Sequence, residues 1–270
     1  MNHDKGLLVA ALPMYDLPEL RPYTEALWQA LAGVLERSGI SVPSMLDRPH
    51  DLAAHWHGAN VLLSQTCGYP LLTLPDHVRV VATPVYDAPG CDGPYYRSAI
   101  IVHRDADAGS LSALRGRVCA INAVDSNSGM NLLRAMVAPL ANGRAFFHDV
   151  VVTGSHAASI DAVRRGTADL AAIDCVTFAL LRRHRPALTE RVRVLDWTIA
   201  SPGLPLVTTQ DETICDALRR ALDEVVNDPA HRETCRALLI ETFFVLASDA
   251  YGAVQHLEDY AMKAGYPVLA

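Results

Sequence analysis

Short apolar runs alternate along the chain with segments whose apolar residues recur every three or four positions. The runs typical of buried strands cover residues 7–12, 59–64, 78–84, 96–103, 118–122, 150–153, 169–173 and 193–197. The helical pattern covers residues 23–37, about 130–142, 155–166 and 176–184. Beyond residue 205 the pattern is mostly helical, with predicted helix starts at Asp211, Asp228-Pro229 and Ser248.

This alternation predicts an α/β protein whose helices cover mostly parallel sheets. Two positions look like boundaries between lobes: the end of the long apolar run at His103, and the turn-rich segment from Trp197 to Pro205. If the chain crosses between lobes at both positions, residues 104–195 form one lobe. Residues 1–103 and 196–270 then form the other, discontinuous lobe.

Three predicted strands of the middle segment are followed directly by polar residues. The run 118–122 leads to Asp125-Ser126-Asn127-Ser128-Gly129, the run 150–152 leads to Thr153-Gly154-Ser155-His156, and the run 169–173 leads to Asp174. The carboxyl ends of parallel strands share one edge of a sheet, where ligands bind in α/β proteins. We therefore expect these three polar groups to lie close together.

The first two polar groups are also predicted helix N-termini, which favour anions through free N–H groups and the helix dipole. One side chain suffices to cap a helix, so the surplus among Ser126, Asn127 and Ser128 can donate to a ligand. The alternative is an elaborate cap without a ligand. His156 could donate to an anion or cap its own helix. Asp174 could accept from a ligand or from nearby backbone N–H groups.

The charge and composition of the chain argue against some classes of partner and site. The net charge is −7 without any cluster of Lys or Arg, which argues against nucleic acid as a partner. The six cysteines have no metal-ligand spacing and are expected to be buried apolar residues, and no cofactor or metal is predicted. The apolar run Gly6–Leu12 is too short for a signal peptide, so we expect a cytoplasmic protein, or a periplasmic one whose signal peptide has been removed.

Three segments resemble the phosphate/phosphonate-type substrate-binding proteins of ABC transporters. They are TGSHAASIDAVRRGTADLAAIDCVTF at Thr153–Phe178, DSNSGM at Asp125–Met130 and YYRSAIIV at Tyr95–Val102. The resemblance implies a two-lobed type II periplasmic-binding-protein fold with two interlobe crossing strands. It also implies a small anionic ligand, phosphate or phosphonate-like, held in the interlobe cleft.

The resemblance also assigns candidate ligand-binding residues. The family holds the phosphonate or phosphate on the helix-terminal turn, with help from a tyrosine and a histidine. In this sequence the turn corresponds to Ser126, Asn127 and Ser128, the tyrosine to Tyr96 and the histidine to His156. Asp174 matches a residue that faces the cleft. Candidates in the other lobe follow the first two strands: Tyr15, Gln65, Thr66 and Tyr69. Where the family often has Thr within the turn, this chain has Asn127, whose amide can still donate.

The leading hypothesis is therefore a solute-binding protein without catalytic activity that delivers its ligand to an ABC transporter permease. One alternative is a cytoplasmic ligand sensor. The other is an enzyme on the same scaffold, in which Ser126, His156 and Asp174 would act as nucleophile, base and orienting carboxylate.

Overall fold

The computed structural model describes residues 7–247 and 249–270, and Ser248, a predicted helix start, lies outside them. The strands are β1 (Val9–Ala11), β2 (Val61–Gln65), β3 (Arg79–Tyr86), β4 (Tyr95–Tyr96), β5 (Ser98–His103), β6 (Val118–Ile121), β7 (Asp149–Val152), β8 (Leu170–Asp174), β9 (Val192–Trp197), β10 (Ser201–Pro202), β11 (Leu206–Thr208) and β12 (Ile240–Phe244).

The longer α-helices lie close to the predicted positions, whereas three short ones, Leu52–His57, Gly68–Leu71 and Pro186–Thr189, are not predicted from the sequence. They are α1 (Arg21–Arg37), α2 (Leu52–His57), α3 (Gly68–Leu71), α4 (Leu132–Ala141), α5 (His156–Arg165), α6 (Cys175–His184), α7 (Pro186–Thr189), α8 (Glu212–Asn227), α9 (Arg232–Ala237) and α10 (Gly252–Lys263). A π-helical turn, Asn127–Asn131, precedes α4 directly.

The chain divides into two compact units, each made of two chain segments. The first unit comprises residues 7–87 and 203–247 of the described chain, and the second comprises Ala88–Pro202 and Asp249–Ala270. The sheet of the first unit has the strand order β1-β2-β11-β3-β12, and only β1 and β2 run parallel. Helix α1 packs against α8 and α9, and its buried residues include Trp28, Leu31 and Leu35.

The second unit has a sheet of order β7-β6-β8-β5-β9. Its strands β7, β6 and β8 are parallel, whereas β5 is antiparallel to both of its neighbours. A short antiparallel ribbon pairs β4 with β10 and places Ser201 opposite Tyr96. Helix α4 and the π-helical turn pack against α10, so the last segment of the chain belongs to this unit.

The expectation of mostly parallel sheets is wrong. Parallel pairing is confined to β1 with β2 and to β6 with β7 and β8, and the remaining ladders are antiparallel. Strands β2 and β8 are buried at every position although each has one parallel and one antiparallel neighbour, so a continuous apolar run does not reveal strand direction. The predicted run 96–103 is also interrupted at Arg97, which separates β4 from β5.

The division between the units differs from the predicted one at 103 and 196. Strand β5 was assigned to the first lobe, but its ladders join β8 and β9 of the second unit. Residues 249–270 also belong to the second unit, since α10 packs on α4, so the chain passes between the units three times rather than twice. Hydrophobic periodicity locates strands but does not say which sheet a strand joins.

Candidate functional site

The three polar segments follow neighbouring parallel strands of the second unit. Strand β6 lies between β7 and β8, and all three run in the same direction. Their carboxyl ends, at Ile121, Val152 and Asp174, therefore share one edge of the sheet, as predicted.

The turn after β6 is a capped helix start with a π-type first turn. Ser126 is the cap, because its Oγ accepts a hydrogen bond from the N–H of Gly129 at 2.9 Å. The N–H of Asn131 reaches back five residues to the Ser126 carbonyl, at 3.0 Å. The N–H groups of Asn127 and Ser128 are thus left without a partner inside the helix. Such π-type turns occur frequently at functional sites.

The hydroxyl of Ser128 connects this turn to the N-terminus of α5. Its Oγ lies 2.9 Å from Nε2 of His156 and 3.4 Å from Oγ of Ser126. Ser128 is held in place because its carbonyl accepts from the Ser98 hydroxyl at 2.9 Å. Two serine hydroxyls and one imidazole therefore form a continuous polar chain across two helix N-termini.

The His156 ring is neutral at pH 7. Burial lowers its pKa from 6.5 to about 4. Its Nδ1 atom is buried and has no hydrogen-bond partner among the described residues. The helix cap of α5 is Ser155, which accepts from the Ala158 N–H at 3.1 Å, so the His156 side chain is not used for capping.

Asn127 is fully buried and its amide is used within the protein. Its Nδ2 donates to the Tyr96 hydroxyl at 3.0 Å and to Oγ of Ser201 at 2.9 Å, and its Oδ1 accepts from Asn131 at 3.1 Å. Both hydrogens of the Asn127 amide are therefore used within the protein, and neither remains for the expected donation to a ligand. Asn127 instead positions Tyr96, whose side chain is buried, whereas Tyr95 beside it is 39% exposed.

A buried network behind Asn127 was not predicted from the sequence. Asn131 Nδ2 donates to the Val254 carbonyl at 3.1 Å, and Asn131 Oδ1 accepts from the Arg134 guanidinium at 2.8 Å. Arg134 also donates to the Pro267 carbonyl at 2.7 Å and lies 3.5 Å from the Glu258 carboxylate. The site is thus tied to α10 and the residues after it, a contact across more than a hundred residues that no local pattern indicates.

Asp174 ends β8 and begins the next helix. Its Oδ1 accepts from the Thr177 N–H at 2.8 Å and so caps α6, and its backbone lies opposite Ser98 in the β5–β8 ladder. The carboxylate is buried. Of the two sequence-based interpretations, the structure favours acceptance from backbone N–H groups.

The catalytic alternative is not supported by this geometry. The hydroxyl bound to Nε2 of His156 is that of Ser128 rather than Ser126. Because Nδ1 of His156 has no partner among the described residues, Asp174 does not orient the ring as a triad carboxylate would. The predicted nucleophile, base and orienting group are therefore not connected in that order.

Close packing requires glycine at position 129. A Cβ atom there would lie 1.8 Å from Oδ1 of Asn122 and 2.9 Å from its Cγ. That Oδ1 atom is buried and has no hydrogen-bond partner among the described residues. Asn122 thus fills the space that a side chain at position 129 would need.

The remaining predicted residues belong to the first unit, and two of them, Tyr15 and Gln65, both contact Tyr86 there. Gln65 is buried and donates through Nε2 to the Tyr86 hydroxyl at 3.2 Å and to the Leu204 carbonyl at 3.1 Å. Tyr15 packs edge-on against Tyr86, with ring centroids 5.2 Å apart. Its φ of 64° is in the left-handed region, which costs energy for a tyrosine and is found at ligand-binding segments.

Thr66 and Tyr69 follow Gln65 in the chain. Thr66 is buried, its N–H donates to the Pro205 carbonyl at 3.0 Å, and its hydroxyl donates to the Cys67 carbonyl at 3.3 Å. Tyr69 lies in the short helix α3 and is partly exposed. Sequence reasoning missed Tyr86, which ends β3 and connects Tyr15 with Gln65.

Within residues 7–247 and 249–270, no group of three or more His, Cys, Asp or Glu side chains is placed to hold a metal ion. None of the helices in that part of the chain combines the length and apolar character needed to cross a membrane.

Comparison with solved structures identifies the fold. A binding-protein component of an ABC phosphonate transporter from Pseudomonas aeruginosa has a TM-score of 0.77 at 17% identity, over 97% of this chain and 88% of that one. PhnD1 from Prochlorococcus marinus, solved with methylphosphonate, has a TM-score of 0.76 at 15% identity, over 95% and 98%. A Xanthomonas citri protein bound to ATP has a TM-score of 0.70 at 19% identity, over 96% and 98%.

These similarities show that the chain has the two-lobed α/β fold of periplasmic binding proteins, as expected. Comparison with curated protein sequences gave no match. Residues 58–251, more than half of the chain, match the family described as "ABC transporter, phosphonate, periplasmic substrate-binding protein". The chain therefore belongs to the periplasmic substrate-binding proteins of phosphonate ABC transporters.

Proposed function

We propose that the second-unit cluster of Ser126, Ser128, His156 and Tyr96 binds the oxyanion group of a phosphonate-like ligand. The observation that carries the proposal is the chain of hydrogen bonds from Ser126 through Ser128 to Nε2 of His156, which joins two helix N-termini. Helix N-termini favour an anion through their dipoles and unpaired N–H groups.

The donors for such a group come from one short turn. The N–H groups of Asn127 and Ser128 have no partner inside the helix. The Ser126 and Ser128 hydroxyls each add one hydrogen once the ligand replaces the 3.4 Å contact between them. We assign the neutral His156 ring a hydrogen on Nε2, which donates to Ser128 Oγ and leaves the Ser128 hydroxyl hydrogen available to the ligand.

The two nearby arginines are used elsewhere. The Arg97 guanidinium donates to the Thr198 carbonyl at 2.8 Å, and Arg134 is buried in the network with Asn131. Recognition in this proposal therefore depends on neutral donors and helix dipoles. Such a site binds its ligand without forming or breaking a covalent bond.

The ligand class is proposed from the relatives. PhnD1 was solved with methylphosphonate and the Xanthomonas citri protein with ATP, so both ligands contain a phosphorus oxyanion group. Within the family, such a protein passes its ligand to a membrane permease. We propose the same partner and a periplasmic location for this chain.

A thermal-shift screen tests the ligand class. We expect stabilisation by alkylphosphonates, phosphite, phosphate or ATP, and none by sulfate or small carboxylates at equal ionic strength. A ligand present at 100 times its Kd stabilises the fold by about 2.7 kcal/mol. If none of these phosphorus compounds shifts the melting temperature, the proposed ligand class is wrong.

Titration calorimetry of a matched tyrosine pair then tests the site with the ligand that the screen identifies. Tyr96→Phe removes the hydroxyl that accepts from Asn127, and we expect a loss of affinity of about tenfold. Tyr95→Phe removes the hydroxyl of the more exposed neighbouring ring and should leave the affinity within about twofold. Equal effects of the two substitutions would contradict the assignment of Tyr96.

A further inference from the structure

Two cysteines of the second unit have their sulfur atoms in contact. Sγ of Cys91 lies 3.5 Å from Sγ of Cys175. Cys91 is partly exposed and Cys175 is buried. Other buried thiols contact backbone oxygens instead: Sγ of Cys119 lies 3.8 Å from the Ala120 carbonyl, and Sγ of Cys215 lies 3.9 Å from the Val80 carbonyl.

The backbone holds both cysteines in place. Cys91 closes a turn by donating its N–H to the Ala88 carbonyl at 3.0 Å, and Cys175 donates its N–H to the Arg97 carbonyl at 3.2 Å. Gly90 has a φ of +101°, and a Cβ there would lie 2.6 Å from Cζ3 of Trp197 and 3.0 Å from Cβ of Cys175. Only glycine at position 90 therefore lets this turn approach Cys175 so closely.

We propose that Cys91 and Cys175 form an intrachain disulfide under oxidising conditions. A disulfide requires a sulfur–sulfur distance of about 2.05 Å, so the two sulfur atoms must approach by roughly 1.5 Å. Rotation of the two side chains about χ1 moves the sulfur atoms over such distances while the backbone keeps its hydrogen bonds. The proposal does not depend on the ligand of this protein.

The reaction is an exchange with a small-molecule disulfide such as oxidised glutathione. The thiolate of Cys91, the more exposed cysteine, attacks one sulfur of the reagent, forms a mixed disulfide and releases one thiol. The thiolate of Cys175 then attacks Sγ of Cys91, and the second thiol leaves. The two cysteines lose two electrons, the reagent gains them, and the two cysteine protons end on the released thiols.

The second step is expected to be the slower one at neutral pH. The hydrogen bond to Cys91 and burial both raise the pKa of the Cys175 thiol above its usual value. A smaller thiolate fraction slows its attack on the mixed disulfide, so ring closure should accelerate as the pH rises.

The bond would fix the start of α6. Cys175 is the first residue of this helix and follows Asp174, which caps it. The disulfide would connect this position to the turn that follows β3, closing a loop from residue 91 to residue 175. Closing a loop of this length restricts the unfolded chain and stabilises the folded one.

Peptide mapping of the full chain tests the proposal. The protein is equilibrated with excess oxidised glutathione, alkylated, and digested without reduction, with a dithiothreitol-treated sample as the reference. We expect a linked peptide pair containing Cys91 and Cys175, and four alkylated cysteines of the six in the sequence. The oxidised protein should also melt several degrees higher than the reduced protein.

Cysteine variants separate the two steps. The Cys175→Ser variant should retain a glutathione adduct on Cys91, and the Cys91→Ser variant should show no reaction at Cys175. The control is Cys67→Ser, at another partly exposed cysteine, which should still give the linked peptide pair. Six alkylated cysteines after oxidation of the wild-type protein would overturn the proposal. So would a persistent glutathione adduct on wild-type Cys91, or linkage of a different cysteine pair.

Discussion

The Oγ atom of Ser128 lies 2.9 Å from Nε2 of His156, and this hydrogen bond joins the first turns of two helices. The two residues follow different strands, β6 and β7, which are parallel neighbours. The contact therefore depends on the strand pairing as well as on the two local turns. It allows one serine hydroxyl to be oriented by the protein while its hydrogen remains available to a ligand.

Replacing Ser126 separates binding from capping. Ser126→Ala should lower the free energy of unfolding by about 1 kcal/mol, because the cap on the Gly129 N–H is lost. It should also weaken methylphosphonate binding by tenfold or more, since a hydrogen bond to a charged group contributes about 1.5–3 kcal/mol. Calorimetric titration and urea denaturation measure the two effects.

The matched control is Asp211→Ala, which removes the cap of α8 in the first unit. It should cost a similar stability, again about 1 kcal/mol, without changing the affinity. A Ser126→Ala protein that loses stability and keeps its affinity would mean that the turn is only a cap.

The depressed pKa of His156 predicts a pH-dependent stability. Between pH 4 and 6.5 the unfolded chain binds a proton at this histidine that the folded protein does not, because burial lowers the folded pKa from 6.5 to about 4. Stability should therefore rise with pH across this window, and about 3 kcal/mol should be lost on acidification from above 6.5 to below 4. Denaturant titrations at a series of pH values measure this change.

His156→Gln should flatten part of that dependence, because glutamine does not titrate. His55, whose pKa is also lowered by burial, contributes in the same direction and is removed separately by His55→Gln. An unchanged slope between pH 4 and 6.5 in His156→Gln would show that this ring is not buried as described.

The packing at Gly129 predicts a large cost for a small substitution. Gly129→Ala places a Cβ 1.8 Å from Oδ1 of Asn122 and should destabilise the protein by about 1–3 kcal/mol. Gly33→Ala in α1 meets only the end of the Arg37 side chain at 3.7 Å and should be neutral or stabilising, by up to about 1 kcal/mol. Removing the blocking side chain in Asn122→Ala/Gly129→Ala should recover part of the loss, and no recovery would contradict the assigned clash.

The buried network behind the site predicts a strong dependence on Asn131. Asn131→Ala removes three buried hydrogen bonds, those with Asn127, Val254 and Arg134, and each is expected to contribute about 1 kcal/mol or more. The expected total loss is about 3 kcal/mol or more, measured by urea denaturation. Asn227→Ala, at an exposed position of α8, should change the stability by less than about 0.5 kcal/mol, and similar values for both variants would refute the network.

Local signals predicted much of the second-unit site. Ser155 and Gly166 delimit α5 as the sequence indicated, since a serine cap and a left-handed glycine are short-range features. The parallel arrangement of β6, β7 and β8 followed from apolar runs separated by single helices. The polar residues at their carboxyl ends were therefore placed together correctly.

Long-range partners could not be predicted in this way. The role of Asn127 depends on Asn131, Arg134 and the carbonyls of Val254 and Pro267, and no local pattern indicates these partners. The pattern after residue 205 was interpreted as mostly helical, which missed β12 on the edge of the first sheet. The apolar residues of β12, Ile240, Phe243 and Phe244, also have the spacing of a helix face, so the pattern does not separate this strand from the helix before it.

The second unit is built from two chain segments, and this has a consequence for its biosynthesis. The ribosome makes Ala88–Pro202 first and residues 249–270 only after the second segment of the first unit. Asn131 and Arg134 donate to the carbonyls of Val254 and Pro267, so these two hydrogen bonds cannot form until the last segment has been synthesised. The proposed ligand-binding cluster therefore gains its full set of supporting contacts only after the second segment of the first unit has been made. We expect the second unit to complete its folding only when the chain up to about residue 267 is available.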